Sequence, residues 1–301
     1  MTTPPASMLP DTPCYLNGEF TPLKDARISV MDRGFIFGDG IYEVVPAYAG
    51  KPFRFEQHMA RLERSLTELR IANPLSRDEW RAIALKLIAA CADSTGAPAE
   101  EGNQLVYIQI TRGVAMRDHP MLPGLTPTVF VMCNAMKLPG EAVREKGVAC
   151  VTANDFRWEK AHIKSTSLLG AVFSRQISVD AGATETVMFR GDYLSEAASS
   201  NVWIAKNGKL MGPPKDNLVL EGIRFGLIEE MCRAAGIPFE LRRITRAEVL
   251  DADEVLLSSA TKEVLPVTLL DGQPVGHGVE KGRPGPIYKK LYAEYQRAKQ
   301  A

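Results

Sequence analysis

No regular strand–helix alternation runs through this chain, and that excludes the doubly wound parallel sheets that a sequence of its size commonly adopts. Cys14 to about Phe55 reads as short strands joined by turns, with Asn17-Gly18 and Ala49-Gly50 between apolar or β-branched runs. Met59, Leu62, Leu66 and Leu69 then recur at helical spacing. Ser76 with Glu79 forms a capping box ahead of a second helix carrying Trp80, Ile83, Leu87 and Ile88. Strand character returns at Gln104 to Thr111 and at Thr128 to Cys133, across a polar loop that holds Arg117, Asp118 and His119. Strands in runs with helices interspersed predict an α+β fold.

At 301 residues the chain is long enough for one large domain or two ordinary ones. The Lys-Leu-Pro-Gly stretch within Asn134 to Glu145 breaks the pattern. The predicted organisation is a loose tail at 1–13, a smaller α+β domain at 14–135, a linker at 136–145 and a larger α+β domain at 146–301. In the second half, strands are expected at Gly147 to Ala153, Thr184 to Phe189, Asn201 to Ala205, Asp253 to Ser259 and Val264 to Leu270. Helices are expected from about Thr166 to Gly182, from Gly222-Ile223 to a stop at Gly236, and from Pro286 to Lys299. Asn207-Gly208 and Asp271-Gly272 signal hairpins.

Charge is balanced, 36 Lys and Arg against 36 Asp and Glu, so no excess field would hold a nucleic acid or an acidic membrane. Five widely spaced cysteines, an odd number with no CxxC pair, read as small buried apolar groups and point to neither disulfides nor a metal site. The proline-rich start has no signal-peptide pattern, and no apolar run reaches the roughly 18 residues of a membrane span. The expectation is a cytoplasmic globular protein, and composition points to nothing more specific.

Three stretches carry candidate chemistry. Gly34-Phe35-Ile36-Phe37-Gly38-Asp39-Gly40 lacks both GxGxxG spacing and a Walker lysine, and leads into β-type residues; it reads as a tight turn between strands. Lys164 is by composition a surface lysine, but the apolar run Leu168 to Phe173 directly after it suggests burial, which readies a lysine for nucleophilic work. Glu196, followed by small and hydroxyl residues before an apolar strand, reads on its own as a loop glutamate.

Taken together and in order, the segments Asp32 to Val44, His58 to Leu62, Thr111-Arg112-Gly113, Arg157-Trp158, Ile163-Lys164-Ser165, Glu196 to Asn201, Leu220 to Ile223 and Ser258 to Val267 closely resemble the class IV, fold type IV, pyridoxal-phosphate-dependent aminotransferases. The resemblance covers roughly Cys14 to Lys299. It implies a two-domain α+β fold with the cofactor at the domain interface, a homodimer, and a transaminase exchanging an amino group with a 2-oxo acid. Arg117-Asp118-His119 after Thr111-Arg112-Gly113 is similar to the carboxylate trap of the D-amino acid branch, which would pass the amino group of D-alanine and related D-amino acids to 2-oxoglutarate. Other branches share the same lysine: L-branched-chain aminotransferases, R-selective amine transaminases and aminodeoxychorismate lyases.

The resemblance also assigns roles. Lys164 matches the Schiff-base lysine and proton carrier, Glu196 the partner of the pyridinium nitrogen, and Arg61 the phosphate-binding arginine. Gly222, Ile223 and Arg224 would give phosphate the amides of a helix start, with Ser259 and Ala260 nearby in the same role. Leu220 would pack behind the ring, and Ser199, Ser200 and Asn201 would support the site. Tyr42, Arg117 and His119 would hold the substrate carboxylate. Arg224 and Ala260 depart from the pattern, each standing where the branch often has a threonine that donates to phosphate; Arg224 would either replace that donor by charge or point into solvent.

Overall fold

The computed structural model describes residues 10–95 and 102–300. Residues 1–9 of the expected tail lie outside that range. The chain divides into two compact units, one formed by residues up to Lys137 together with Ile163–Leu168, the other by Leu138–His162 and residues from Leu169 onward.

The first unit is a six-stranded antiparallel sheet covered by two helices. In chain order it contains β1 (Pro13–Leu16), β2 (Glu19–Pro22), α1 (Arg33–Phe37), β3 (Gly40–Tyr48), β4 (Lys51–Pro52), α2 (Phe55–Glu68), α3 (Arg77–Thr95), β5 (Asn103–Thr111) and β6 (Thr128–Ala135). The sheet order is β2-β1-β6-β5-β3-β4. Asn17-Gly18 and Ala49-Gly50 make the expected tight turns, each residue at positive φ. Phe55, Met59, Leu62 and Leu66 form the buried stripe of α2 and pack with Trp80, Leu87 and Ile88 of α3 on Ile41, Val45, Val106 and Ile108 of the sheet. Each such side chain contributes roughly 1.5–3 kcal/mol by leaving water. The Ser76–Glu79 capping box forms reciprocally: Ser76 N donates to Glu79 Oε2 at 2.7 Å and Glu79 N to Ser76 Oγ at 3.3 Å. The glycine stretch expected as a turn is instead the single helical turn α1, N-capped by Asp32 Oδ1, which accepts from Gly34 N at 2.8 Å, and closed by Gly38 at φ 64°.

The second unit is a mixed nine-stranded sheet with helices around it. It contains α4 (Glu141–Lys146), β7 (Val148–Asn154), α5 (Leu169–Asp180), β8 (Glu185–Arg190), β9 (Tyr193–Ala197), β10 (Asn201–Lys206), β11 (Lys209–Gly212), α6 (Arg224–Ala234), β12 (Phe239–Leu241), α7 (Arg246–Leu250), β13 (Glu254–Ser259), β14 (Glu263–Leu270), β15 (Gln273–Pro274) and α8 (Pro286–Gln300). The strand order is β12-β11-β10-β13-β14-β7-β8-β9, with β15 on β14. Pairs β7–β8, β7–β14 and β11–β12 are parallel; the remaining pairs are antiparallel. Val187, Phe189, Val202, Ile204, Val255, Leu257, Leu265 and Val267 fill one core face.

Two expectations change here. The 136–145 stretch expected as a linker contains most of α4, whose Arg144 is buried and donates to Glu263 Oε2 at 2.7 Å and Val264 O at 3.1 Å. Glu196 sits in strand β9, not in a loop. The five cysteines are buried and outside any disulfide, as read from the sequence.

Candidate active site

In the first unit the lysine segment pairs with the start of β3. Tyr42 N donates to Lys164 O at 2.9 Å, Ile41 and Ser165 form an antiparallel bridge, and Thr166 N donates to Gly40 O at 2.9 Å. Thr166 Oγ1 and Ser167 Oγ both donate to Gly38 O, at 2.9 and 3.0 Å. This backbone ladder places Lys164 in the first unit, although the sequence suggested the second. Its Nζ lies 4.0 Å from the Tyr42 ring centroid, and among the described residues no carboxylate pairs with it. The apolar run expected to bury it does not: Leu169, Val172 and Phe173 of α5 are 69%, 60% and 58% exposed. Lys164 is only partly buried. Tyr42 also stacks on Tyr107 at 5.9 Å, and burial first, then the Tyr42 hydroxyl, pushes the Tyr107 phenol up to about 12.

Arg61 lies buried on α2 beside a glutamate that sequence reading passed over. Its Nε and Nη2 each donate at 2.7 Å to the two oxygens of Glu43, and His58 Nδ1 stands 2.7 Å from Glu43 Oε2. Burial alone would raise the Glu43 carboxyl; Arg61 and His58 outweigh it and hold the group far below the usual range. The signal for this cluster was present as His58-x-x-Arg61, which places both on one flank of α2 beside the apolar stripe.

Arg117 and His119 lie on an exposed loop and gather around a phenylalanine of α1. The Arg117 guanidinium carbon is 5.4 Å from the Phe37 ring centroid, and the His119 ring is 5.5 Å away, tilted by 45°. Tyr42, the third expected member of the trap, belongs to the Lys164 cluster by its contacts.

In the second unit, Glu196 is buried and fully hydrogen-bonded. Oε1 accepts from Arg157 Nη1 at 2.6 Å; Oε2 accepts from Asn201 Nδ2 at 3.2 Å and Leu220 N at 3.3 Å. Arg157 also donates Nε and Nη2 to Asp155, at 3.0 and 2.9 Å, so two carboxylates share one cation. Burial pushes the Glu196 carboxyl up, and Arg157 offsets only part of that. For Asp155 burial also pushes up, but Arg157 prevails and holds it at about 2. Asn201 further donates to Leu220 O at 2.9 Å, and a Cβ on Gly222 would fall 2.1 Å from Asn201 Oδ1, so only glycine lets this turn approach the glutamate's support.

The turn leads into α6, whose start at Ile223 has no side-chain cap and where Phe225 N donates to Gly222 O at 2.9 Å. Arg224 neither points into solvent nor sits free at the helix start: it is buried, and its Nε and Nη2 donate to Tyr295 Oη at 3.3 and 3.1 Å. Ser199 and Ser200 donate to Glu185 Oε2 at 2.6 and 3.2 Å, and Lys262 Nζ completes the group at 2.9 Å. Glu185 and Lys262 were not singled out from the sequence; their pairing spans β8 and the β13–β14 turn, which no local pattern reports. Ser259 Oγ accepts from Lys262 N at 3.1 Å in that turn, with Ala260 beside it and adding no donor of its own.

Comparison with known proteins bears on this arrangement. Residues 40–270 match the amino-transferase class IV family. The D-alanine aminotransferase of Bacillus licheniformis is 35% identical over 280 residues, 93% of this chain and 94% of that protein. That of Staphylococcus aureus strain COL is 36% identical over 284 residues, 94% and 96% of the two chains. Among solved structures, the T.th. branched-chain amino acid aminotransferase with pyridoxamine 5'-phosphate superposes with a TM-score of 0.85 at 22% identity, covering 96% of this chain and 94% of that one. The Escherichia coli branched-chain enzyme gives 0.78 at 24%, covering 94% and 92%. The fold is therefore that of the type IV enzymes, and the chain belongs to the class IV aminotransferases.

Proposed function

We propose that this protein is a D-amino acid aminotransferase that moves the amino group of D-alanine and related D-amino acids to 2-oxoglutarate with pyridoxal 5'-phosphate. The observation that carries the reading is the paired placement of Arg117 and His119 on the Phe37 ring, a guanidinium and an imidazole donor suited to a substrate carboxylate. The D-alanine aminotransferases that match nearly the whole chain support it.

The residues present fit the cofactor chemically: an amine without a carboxylate partner among the described residues, a buried carboxylate with a shared cation, and an uncapped helix start. When bound, the cofactor supplies an aldehyde for amines and a ring that accepts electrons from the substrate α-carbon. Lys164 would be the residue that holds the cofactor through its Nζ and, as a free amine, the base that moves a proton at the substrate α-carbon. Glu196 would pair with the ring nitrogen and favour its protonated form. Its short bond to Arg157 and the Asn201 and Leu220 donors fix the carboxylate's direction. The amides of Ile223 and Arg224, with Gly222 allowing the close turn, would hold phosphate, and the resemblance gives a phosphate-binding role to Arg61, which Glu43 orients. Ser259 and Ala260 would stand near the phosphate and Leu220 would back the ring, while Ser199 and Ser200 brace the strand turn after Glu196 through Glu185. Arg117 and His119 anchor the substrate carboxylate together with Tyr42, and that anchor selects which α-hydrogen is moved.

We read the protein as a homodimer in the cytoplasm, supported by the apolar side that α5 leaves exposed at Leu169, Val172 and Phe173 and by five cysteines outside any disulfide. Among the described residues no helix is long and apolar enough to cross a membrane.

The test is direct. The purified protein with pyridoxal phosphate and 2-oxoglutarate is offered D-alanine or L-leucine, and the oxo acid formed is measured. Turnover of D-alanine is expected; L-leucine turnover with none of D-alanine would place the enzyme in the L-branched-chain branch, and pyruvate release from aminodeoxychorismate would make it a lyase. Arg117→Ala should lower kcat/KM for D-alanine about 10- to 150-fold, the loss of one charge-assisted hydrogen bond. Lys164→Ala should abolish turnover.

A further inference from the structure

The loop that carries Arg117 and His119 is exposed from Met116 to Met121, and one buried side chain binds its main chain at two successive carbonyls. Arg33, the first residue of α1, is 3% exposed. Its Nη1 donates to Asp118 O at 2.5 Å and its Nη2 to His119 O at 3.3 Å, so a single fork holds the carbonyls of two successive loop residues. Its Nε donates to Asp39 Oδ2 at 2.8 Å, and Asp39 is itself held by Arg112 through Nε at 2.8 Å and Nη2 at 3.0 Å. Arg112 is tied in turn to Leu69 O at 2.7 Å and Arg70 O at 3.3 Å at the end of α2.

The helix that presents Arg33 is equally fixed. Asp32 caps it and accepts from Thr111 Oγ1 at 3.0 Å, and a Cβ on Gly34 would fall 2.2 Å from Thr111 Cγ2. The guanidinium lies 4.8 Å from the centroid of Phe37, the ring that Arg117 and His119 also meet. One arginine therefore sets the main chain under both loop side chains and shares the ring that orients them.

We infer that Arg33 is a positioning residue for recognition of the substrate carboxylate, acting through the 117–119 backbone. This rests on the assignment of Arg117 and His119 proposed above. Lysine at this position keeps a charge for Asp39 but cannot span two carbonyls, because the fork belongs to guanidinium. Substrates with a carboxylate should feel the change, and amines without one should not.

Arg33→Lys is compared with the unaltered holoenzyme on D-alanine and on D-alaninol, which keeps the amine and methyl groups but has no carboxylate. The expected result is a KM for D-alanine raised about 10- to 100-fold, the scale of one lost charge-assisted hydrogen bond, with kcat/KM for D-alaninol held within about a factor of two. An equal fall on both substrates, or an unchanged KM for D-alanine, would overturn the inference. Trypsin cleavage after Arg117, followed by mass spectrometry, reads the tether without any turnover: it should be faster in Arg33→Lys, and an equal rate would also overturn it. If the unaltered enzyme does not use D-alanine at all, the functional assignment fails, and a faster cleavage would still establish the tether as a property of the loop.

Discussion

Glu43 of the first unit and Glu196 of the second are both buried, and both bind an arginine at hydrogen-bond distance, yet their acidities move in opposite directions. Glu43 receives a two-pronged guanidinium on its two oxygens with an imidazole beside it. Glu196 receives one prong of Arg157, whose other nitrogens serve Asp155, and neutral amides supply the rest. Burial penalises both carboxylates; only Glu43 has cation enough to exceed the penalty. A carboxylate left short of positive charge is suited to pair with a cation that arrives later, and one already satisfied is suited to orient its neighbours.

The contrast is tested most severely at Glu43, where the largest effect is expected. Glu43→Gln removes the carboxylate charge that meets two nitrogens of the buried Arg61 and should cost about 3–5 kcal/mol of stability in denaturant unfolding. A loss below about 1 kcal/mol would show that the pair is replaceable. At Glu196, Gln keeps the shape and removes the charge. We expect kcat to fall about 100- to 1,000-fold, by analogy with deletion of a preorganised electrostatic partner, while stability holds or rises. A stability loss as large as that of Glu43→Gln would erase the distinction between the two sites.

The pH profile separates the two sites again, with smaller effects. Glu43 and Asp155 have lowered folded-state values, so their contribution is complete above the unfolded value near 4 and is lost as pH falls through the folded one. For Asp155, held at about 2, that amounts to about 2 kcal/mol lost between about pH 5 and pH 1. Glu196 runs the other way: its folded value is raised, so its contribution is present in acid and declines as pH rises through and above the unfolded value. Urea unfolding of Asp155→Asn should therefore show a shallower loss of stability below pH 4 than the unaltered protein, and Glu196→Gln a steeper net fall in acid. Parallel profiles for all three proteins would refute this account.

What could be read from residues alone follows from how far each structure reaches along the chain. Asn17-Gly18, Asn207-Gly208 and Asp271-Gly272 announce their hairpins because a two-residue turn needs positive φ at both positions, and all six residues have it. The Ser76–Glu79 box marked the start of α3, and the same signature at Thr245 and Glu248 marks α7, where it went unread. The single turns α1 and α4 were not legible. Their stability comes from partners far away in sequence, Asp118 and His119 for Arg33, Glu263 and Val264 for Arg144. The order of motifs singled out Lys164 and Glu196, but not their surroundings. The apolar run after Lys164 faces outward, because a helix turns residues by position and not by proximity to the lysine.

The return of Ile163–Leu168 to the first unit has a consequence for how the chain can be made and cut. The strip that pairs with Gly40 and Tyr42 follows an excursion into the second unit. During synthesis, the first sheet can assemble early, but the backbone partner of its β3 edge emerges from the ribosome only after β7 has been made. A fragment ended at Lys137 would leave that edge uncovered, with the polar groups of Gly38, Gly40 and Tyr42 that now meet the lysine strip open to any passing strand. Lys164 thus arrives on a segment that also closes an aggregation-prone edge, which ties completion of its setting to the solubility of the nascent chain.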